Sequence, residues 1–206
     1  MHRGTDIDAL WCIYRCTAVQ IDVQQMEMYC RSKRNFIFVG MSNIRKATRD
    51  DLKELMSIFE SARGFMQQTG NHKQWINGYP QEQLIDKEIE ANHCYVYQLE
   101  DGTLAGTFCL IHGEDPTYAV IEQGEWLNNR PYATIHRLAS NGKVKGVADK
   151  CIDWCLTQCA NIRIDTHEDN LVMQHILLRK GFSRCGIIYV SNGTPRIAFQ
   201  KCINRE

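Results

Sequence analysis

The chain has 206 residues and a mass of 23.8 kDa, the length of one domain or of one domain with an appendage. Hydrophobic residues make up 44% and charged residues 23%, which excludes wholesale disorder, collagen-like sequence and coiled-coil architecture. Lys plus Arg (24) equals Asp plus Glu (24), so a basic footprint for nucleic acid is absent at the whole-chain level, and no run approaches the roughly 18 apolar residues of a membrane span.

Ten cysteines in 206 residues fall short of the ~8–10% share that marks a disulfide scaffold. The first apolar run, Ala9–Ile13, is too short for a secretory signal core and soon meets Arg15. The thiols therefore read as reduced and the compartment as cytoplasmic. Residues 1–40 hold Cys12, Cys16 and Cys30, no proline and no clear apolar period. They read as upstream sequence ahead of a natural start at Met41, or else as an N-terminal extension serving as an interaction arm. The domain is 41–206.

In chain order, Asn43–Ala47 fits a short strand. Thr48-Arg49-Asp50-Asp51 resembles a capping box with Asp in place of Glu. Leu52, Leu55, Met56 and Phe59 then form one helical stripe, running to about Ala62. Gly70–Trp75 is a loop. Pro80 suits the first position of a second helix, which carries Leu84, Ile85, Ile89 and Ala91. Cys94–Leu99 and Leu104–Ile111 read as strands joined by an Asp101-Gly102 turn, with a polar loop at Gly113–Thr117 after them. Tyr132–Leu138 is a strand whose alternation places Tyr132, Thr134, His136 and Leu138 on one face, Ile135 and Arg137 on the other. Gly142–Gly146 is a loop, and a helix begins near Gly146. Ile162–Thr166 is a strand, and Leu171–Lys180 a helix closed by Gly181. Phe182–Val190 and Arg196–Lys201 form a hairpin. The order β-α-α-β-β-β-α-β-α-β-β predicts an α+β fold with a mixed, mostly antiparallel sheet flanked by helices.

The most informative stretch is Ser140–Ala148. A strand ends in a loop with two glycines and two lysines, and that loop feeds a helix. A helix start leaves backbone N–H groups unpaired and partly positive. Gly146 allows close approach of a ligand, and Lys143 and Lys145 add mobile charge. Such a turn suits a pyrophosphate; an ordinary solvated loop is the competing reading. It is neither a Walker A loop nor G-x-G-x-x-G.

Lys143-x-x-Gly146-x-Ala148 resembles the Arg/Gln-x-x-Gly-x-Gly/Ala turn of the GNAT superfamily of N-acetyltransferases, with Lys as a mild departure. Asn43–Asp51 resembles the family's first strand and helix entry. Asn170-x-x-Met173-x-x-Ile176-Leu177-x-x-x-Gly181-Phe182 resembles its second signature. The resemblance spans about 41–202 and implies the GNAT acyl-CoA N-acyltransferase fold, with acetyl-CoA as co-substrate and no metal. It implies that Lys143, Val144, Lys145, Gly146, Val147 and Ala148 cradle the pyrophosphate. Leu138 and Ser140 would offer backbone groups to the pantetheine arm at a V-shaped splay, and Asn170 would contact the cofactor. The family's frequent general-acid Tyr falls on Leu177.

Direct transfer to an amine needs a base, and the leaving thiolate needs a proton. Glu125 lies in the region from which the family often takes a water-mediated base; a solvated carboxylate is the alternative. His136, on the central strand, is a candidate base or a structural, hydrogen-bonded histidine. Tyr189 is a candidate acid or half-buried core. Trp75 and Tyr79 offer an amphipathic wall for the acceptor, unless Trp75 plugs the core. Cys151, Cys155 and Cys159 recur on one helix as small residues facing the sheet, and Asp165–Asn170 reads as a polar strand–helix turn. The leading function is N-acetyl transfer from acetyl-CoA to a primary amine, small molecule or peptide N-terminus, by direct attack. The alternatives are a catalytically degenerate acyl-CoA-binding module and an unrelated nucleotide-binding protein. No nucleic acid or membrane partner is expected, and the resemblance implies a homodimer.

Overall fold

A computed structural model describes residues 43–203; the reading of 1–40 lies outside them. The described residues hold seven strands and four α-helices: β1 (Asn43–Lys46), α1 (Leu52–Gln68), α2 (Glu82–Glu90), β2 (Cys94–Gln98), β3 (Leu104–His112), β4 (Ala133–Ser140), α3 (Val147–Gln158), β5 (Asn161–Thr166), α4 (Leu171–Arg179), β6 (Ser183–Tyr189) and β7 (Pro195–Cys202). They form one sheet in the order β1-β2-β3-β4-β5-β7-β6. Only β4 and β5 pair in parallel. The mixed, mostly antiparallel sheet expected of the sequence is present.

Amphipathic stripes place the helices. Leu55, Ile58, Phe59 and Ala62 of α1 and Ile85 and Ile89 of α2 are buried on one face, against Cys94, Val96, Cys109 and Ala139. On the other face Val147, Cys151, Ile152 and Cys155 of α3 pack with Leu177 and Phe182 on Phe108, Ile135, Ile162 and Phe199. Cys151 and Cys155 are thus core residues, and burial pushes the Cys151 thiol up to about 12. The entry to α1 is held by Asp51, whose carboxylate accepts from the Thr48 N–H at 2.7 Å and its hydroxyl at 3.1 Å. The helix itself runs six residues past Ala62, to Gln68, and its last buried residue is Ala62.

Two expectations are corrected, and one feature of the sheet positions the site. Pro80 is not the first residue of α2. It lies buried behind a cis Tyr79–Pro80 bond, and the amides of Leu84 and Ile85 reach the Gln81 carbonyl, which makes Gln81 the cap. The alternation along β4 also breaks. Thr107 faces Ala139 and Cys109 faces His136, so Arg137 and Leu138 together oppose Phe108. This is a β-bulge, with Arg137 at φ +54°. Its consequence is that Leu138 joins Ala133 and Ile135 against α3, away from His136. Finally, the β4–β5 ladder ends at Ile135–Ile164, although both strands continue. The central sheet is open from that point.

Candidate active site

The gap between β4 and β5 is a cleft of about 660 Å³. Its floor is Ile135–Leu138 from β4 and Ile164–Thr166 from β5. Its walls are the α1–α2 loop, the β3–β4 loop and the β6–β7 turn, and Asn170 and Met173 close the α4 side. Beyond Ile135 the edge of β4 that faces β5 has no strand partner among the described residues, so backbone groups there can meet a ligand. Leu138 lies on this open stretch, and Ser140 at its end.

His136 projects into the cleft with a defined partner. Its Nε2 is 2.8 Å from Asp115 Oδ2, while Asp115 Oδ1 accepts from the Thr117 N–H at 2.9 Å and hydroxyl at 2.6 Å. Burial works to raise the Asp115 carboxyl, but bonds from His136 and Thr117 outweigh it and hold it at about 2. Asp115 is therefore an ionised acceptor, and the hydrogen between the pair belongs to Nε2. In the neutral ring Nδ1 then carries the free lone pair. The ring of Tyr118 meets His136 edge-on at 5.9 Å. Its hydroxyl donates to Asp165 Oδ1 at 2.6 Å, and burial, then the Asp165 charge, push that hydroxyl well above its ordinary range.

Trp75 and Tyr79 both line the cleft. Trp75 also packs edge-on against Phe59 at 5.8 Å and against Tyr79 at 6.3 Å, so it is wall and plug at once. Arg137, turned by the bulge, donates to the Tyr79 hydroxyl and to Glu88, each at 3.0 Å. One guanidinium thus ties the α1–α2 loop to α2 and β4. Asn170 is engaged structurally: its Oδ1 caps α4 through the Met173 N–H at 3.1 Å, and its amide donates to Gln74 at 2.8 Å.

The β4–α3 turn is wound around Asn141, which donates to the Ala105 and Leu104 carbonyls and accepts from the Lys143 N–H. The Ser140 hydroxyl accepts from Gly142 at 3.1 Å. Gly142 and Gly146 adopt φ +74° and +77°. The α3 ladder opens with Lys150 N–H on the Gly146 carbonyl, which leaves the amides of Val147, Ala148 and Asp149 outside it. Lys143, Lys145 and Gly146 are exposed, and nothing lies within 4 Å of a Cβ placed on Gly146. Val147 Cγ1 would sit 2.4 Å from a Cβ on Gly106, so the bare β3 backbone is what lets the helix start reach the sheet. Thr166 Oγ1, buried beside the cleft, has no partner among the described residues. Free amides, lysines, open space and an unpartnered hydroxyl fit an anionic ligand with a polar arm.

No family model matches the chain, and no curated protein does. Solved structures do. A GNAT-family acetyltransferase from Streptococcus agalactiae is 33% identical, with a TM-score of 0.73 over 83% of this chain and all of that one. The chain belongs to the GNAT family of acetyltransferases. Family acetyltransferases from Listeria monocytogenes (20% identical, TM-score 0.60, 79% of this chain and 95% of that one) and Bacillus cereus (21%, 0.55, 81% and 100%) share the fold.

In this GNAT chain two sequence candidates stand apart from the cleft. Glu125 is exposed and does not line it. Its segment is fastened along the edge strand β6, where Glu122 and Ile187 exchange backbone bonds at 2.8 Å and Gly124 presses on Cys185. Tyr189 is also outside the lining, 42% exposed, with its hydroxyl donating to Glu122 at 3.0 Å. Glu88, Asp115, Tyr118 and Arg196 were not singled out from sequence. Only Asp115-Pro116-Thr117 carried a signal, an Asx turn, and its target lies 21 residues away.

Proposed function

We propose that this GNAT chain transfers an acetyl group from acetyl-CoA to a primary amine held beside His136. The observation that carries the reading is the Asp115–His136 pair, set at the mouth of the β4–β5 opening. When bound, acetyl-CoA supplies an acetyl group activated as a thioester. Residues 143–148 would hold its pyrophosphate, and the open edge of β4 around Leu138, with Thr166 opposite, its pantetheine arm. Asp115 fixes the tautomer and orientation of His136, as a carboxylate does in a hydrolase triad. Nδ1 then takes a proton from the ammonium form of the acceptor, leaving a neutral amine to attack. Leu177 is fully buried and donates nothing, so the remaining proton transfers fall to His136 and solvent.

Coenzyme A thiol release by the full chain, measured against an amine panel, tests this. Amine-dependent release is expected, with kcat falling by about 10²–10⁴-fold in His136→Gln. Acetyl-CoA binding without release on any amine would favour the acyl-CoA-binding module instead.

A further inference from the structure

Arg196, at the start of β7, lines the same cleft, yet its side chain is only 7% exposed. A buried guanidinium normally meets several acceptors. Here one nitrogen donates to the adjacent Pro195 carbonyl at 2.9 Å. The nearest carboxylate oxygen, Asp165 Oδ2, is 3.8 Å from Nε, beyond hydrogen-bond reach. The other oxygen of Asp165 is taken by Tyr118. Among the described residues no further acceptor bonds the guanidinium, and burial pulls its pKa down despite Asp165. The chain has thus placed a cation in the cleft and left most of its donors unmet.

Its position relative to the reaction centre is set by Tyr118. That residue touches His136 with its ring and Asp165 with its hydroxyl, and Asp165 neighbours Arg196. Arg196 and His136 therefore stand one tyrosine and one carboxylate apart. The cleft lining also carries four carboxylates, Glu88, Glu114, Asp115 and Asp165, against the two guanidinium groups of Arg137 and Arg196. That surplus attracts an ammonium group and opposes a dianion such as phosphate.

We propose that the acceptor is an amine that also bears a carboxylate, an amino-acid-type zwitterion, whose carboxylate pairs with Arg196 while its amine reaches His136. The proposal rests on the acetyl-transfer reading. Its test uses the full chain, acetyl-CoA, the twenty protein amino acids, their carboxamides and the corresponding amines lacking the carboxyl group. At least one acid should exceed its carboxamide by about tenfold or more in kcat/KM. Arg196→Gln should raise KM for that acid by about tenfold with a smaller change in kcat, and so cut the acid-over-carboxamide preference in kcat/KM by about tenfold; Arg196→Lys should restore part of the loss. Calorimetric binding of the same acid to wild type and Arg196→Gln provides a readout independent of turnover. Carboxamides or plain amines used as well as the acids would overturn the proposal. So would an unchanged KM in folded Arg196→Gln, or no acid bound or acetylated while another amine is. Acetylation of no amine at all, with acids still bound through Arg196, would overturn the acetyl-transfer reading and keep the anion site.

Discussion

At His136 the proposed chemistry turns on which nitrogen holds the hydrogen, and Asp115 decides it. Asp115→Asn removes an acceptor that must be ionised. We expect kcat to fall with KM less affected, since the wrong tautomer would be favoured. The same carboxylate contributes to stability. Its folded pKa of about 2 lies below the ordinary 3.8. The contribution is therefore present above pH 4 and is lost as pH falls toward 2. It is on the order of 2 kcal/mol, with about half gone by pH 3. The stability gap between wild type and Asp115→Asn, measured by urea denaturation, should shrink from pH 6 to pH 3; a constant gap would contradict this. Arg137 makes a second residue-scale test. Arg137→Ala leaves the half-buried Glu88 carboxylate without its guanidinium, a loss of about 3 kcal/mol, readable as a lower denaturation midpoint. His136 could be read from the chain because it sits in a recognisable strand. Its partner could not, since nothing local ties Asp115 to a residue 21 positions on.

Helices and turns were legible wherever one face of an element meets one core. The stripes of α1 and α2 and the Gly142–Gly146 turn follow from spacing alone. The β4 bulge was not legible. An alternating strand hides an extra residue until its partner's register is known, and that residue sends Leu138 to the opposite face. Pro80 misled for a related reason, because a proline before a helix fits several positions and only the Gln81 cap distinguishes them. Two substitutions probe the α3 start. Gly106→Ala puts a Cβ 2.4 Å from Val147 Cγ1 and 2.8 Å from the Ala139 carbonyl, so it should cost about 1–3 kcal/mol in urea denaturation. Gly146→Asp meets no neighbour but forces a residue with a Cβ to φ +77° and adds negative charge at the proposed pyrophosphate turn. Stability should fall by about 1 kcal/mol, and acetyl-CoA affinity by about tenfold or more. Unchanged affinity in the folded variant would remove the turn from the site.

Across the described residues, one parallel pair in an otherwise antiparallel sheet creates the opening, and the groups of the proposed reaction converge on it. The proposed pyrophosphate turn lies beyond one end of β4, the Asp115–His136 pair near its middle, and Arg196 across the gap. Net charge and composition set limits on partners without locating this cleft, because its six charged lining groups belong to segments far apart in sequence. Glu125 shows the converse, a carboxylate in a suggestive part of the sequence that the β6 edge carries away. The central claim is that the opening and the turn together hold acetyl-CoA. Calorimetric titration of acetyl-CoA into the full chain, with ADP as the comparison, tests it most directly. The expected result is saturable one-to-one binding well beyond that of ADP, because the pantetheine arm adds the β4–β5 opening to the pyrophosphate turn. Absence of saturable binding, or equal affinity for ADP, would contradict it.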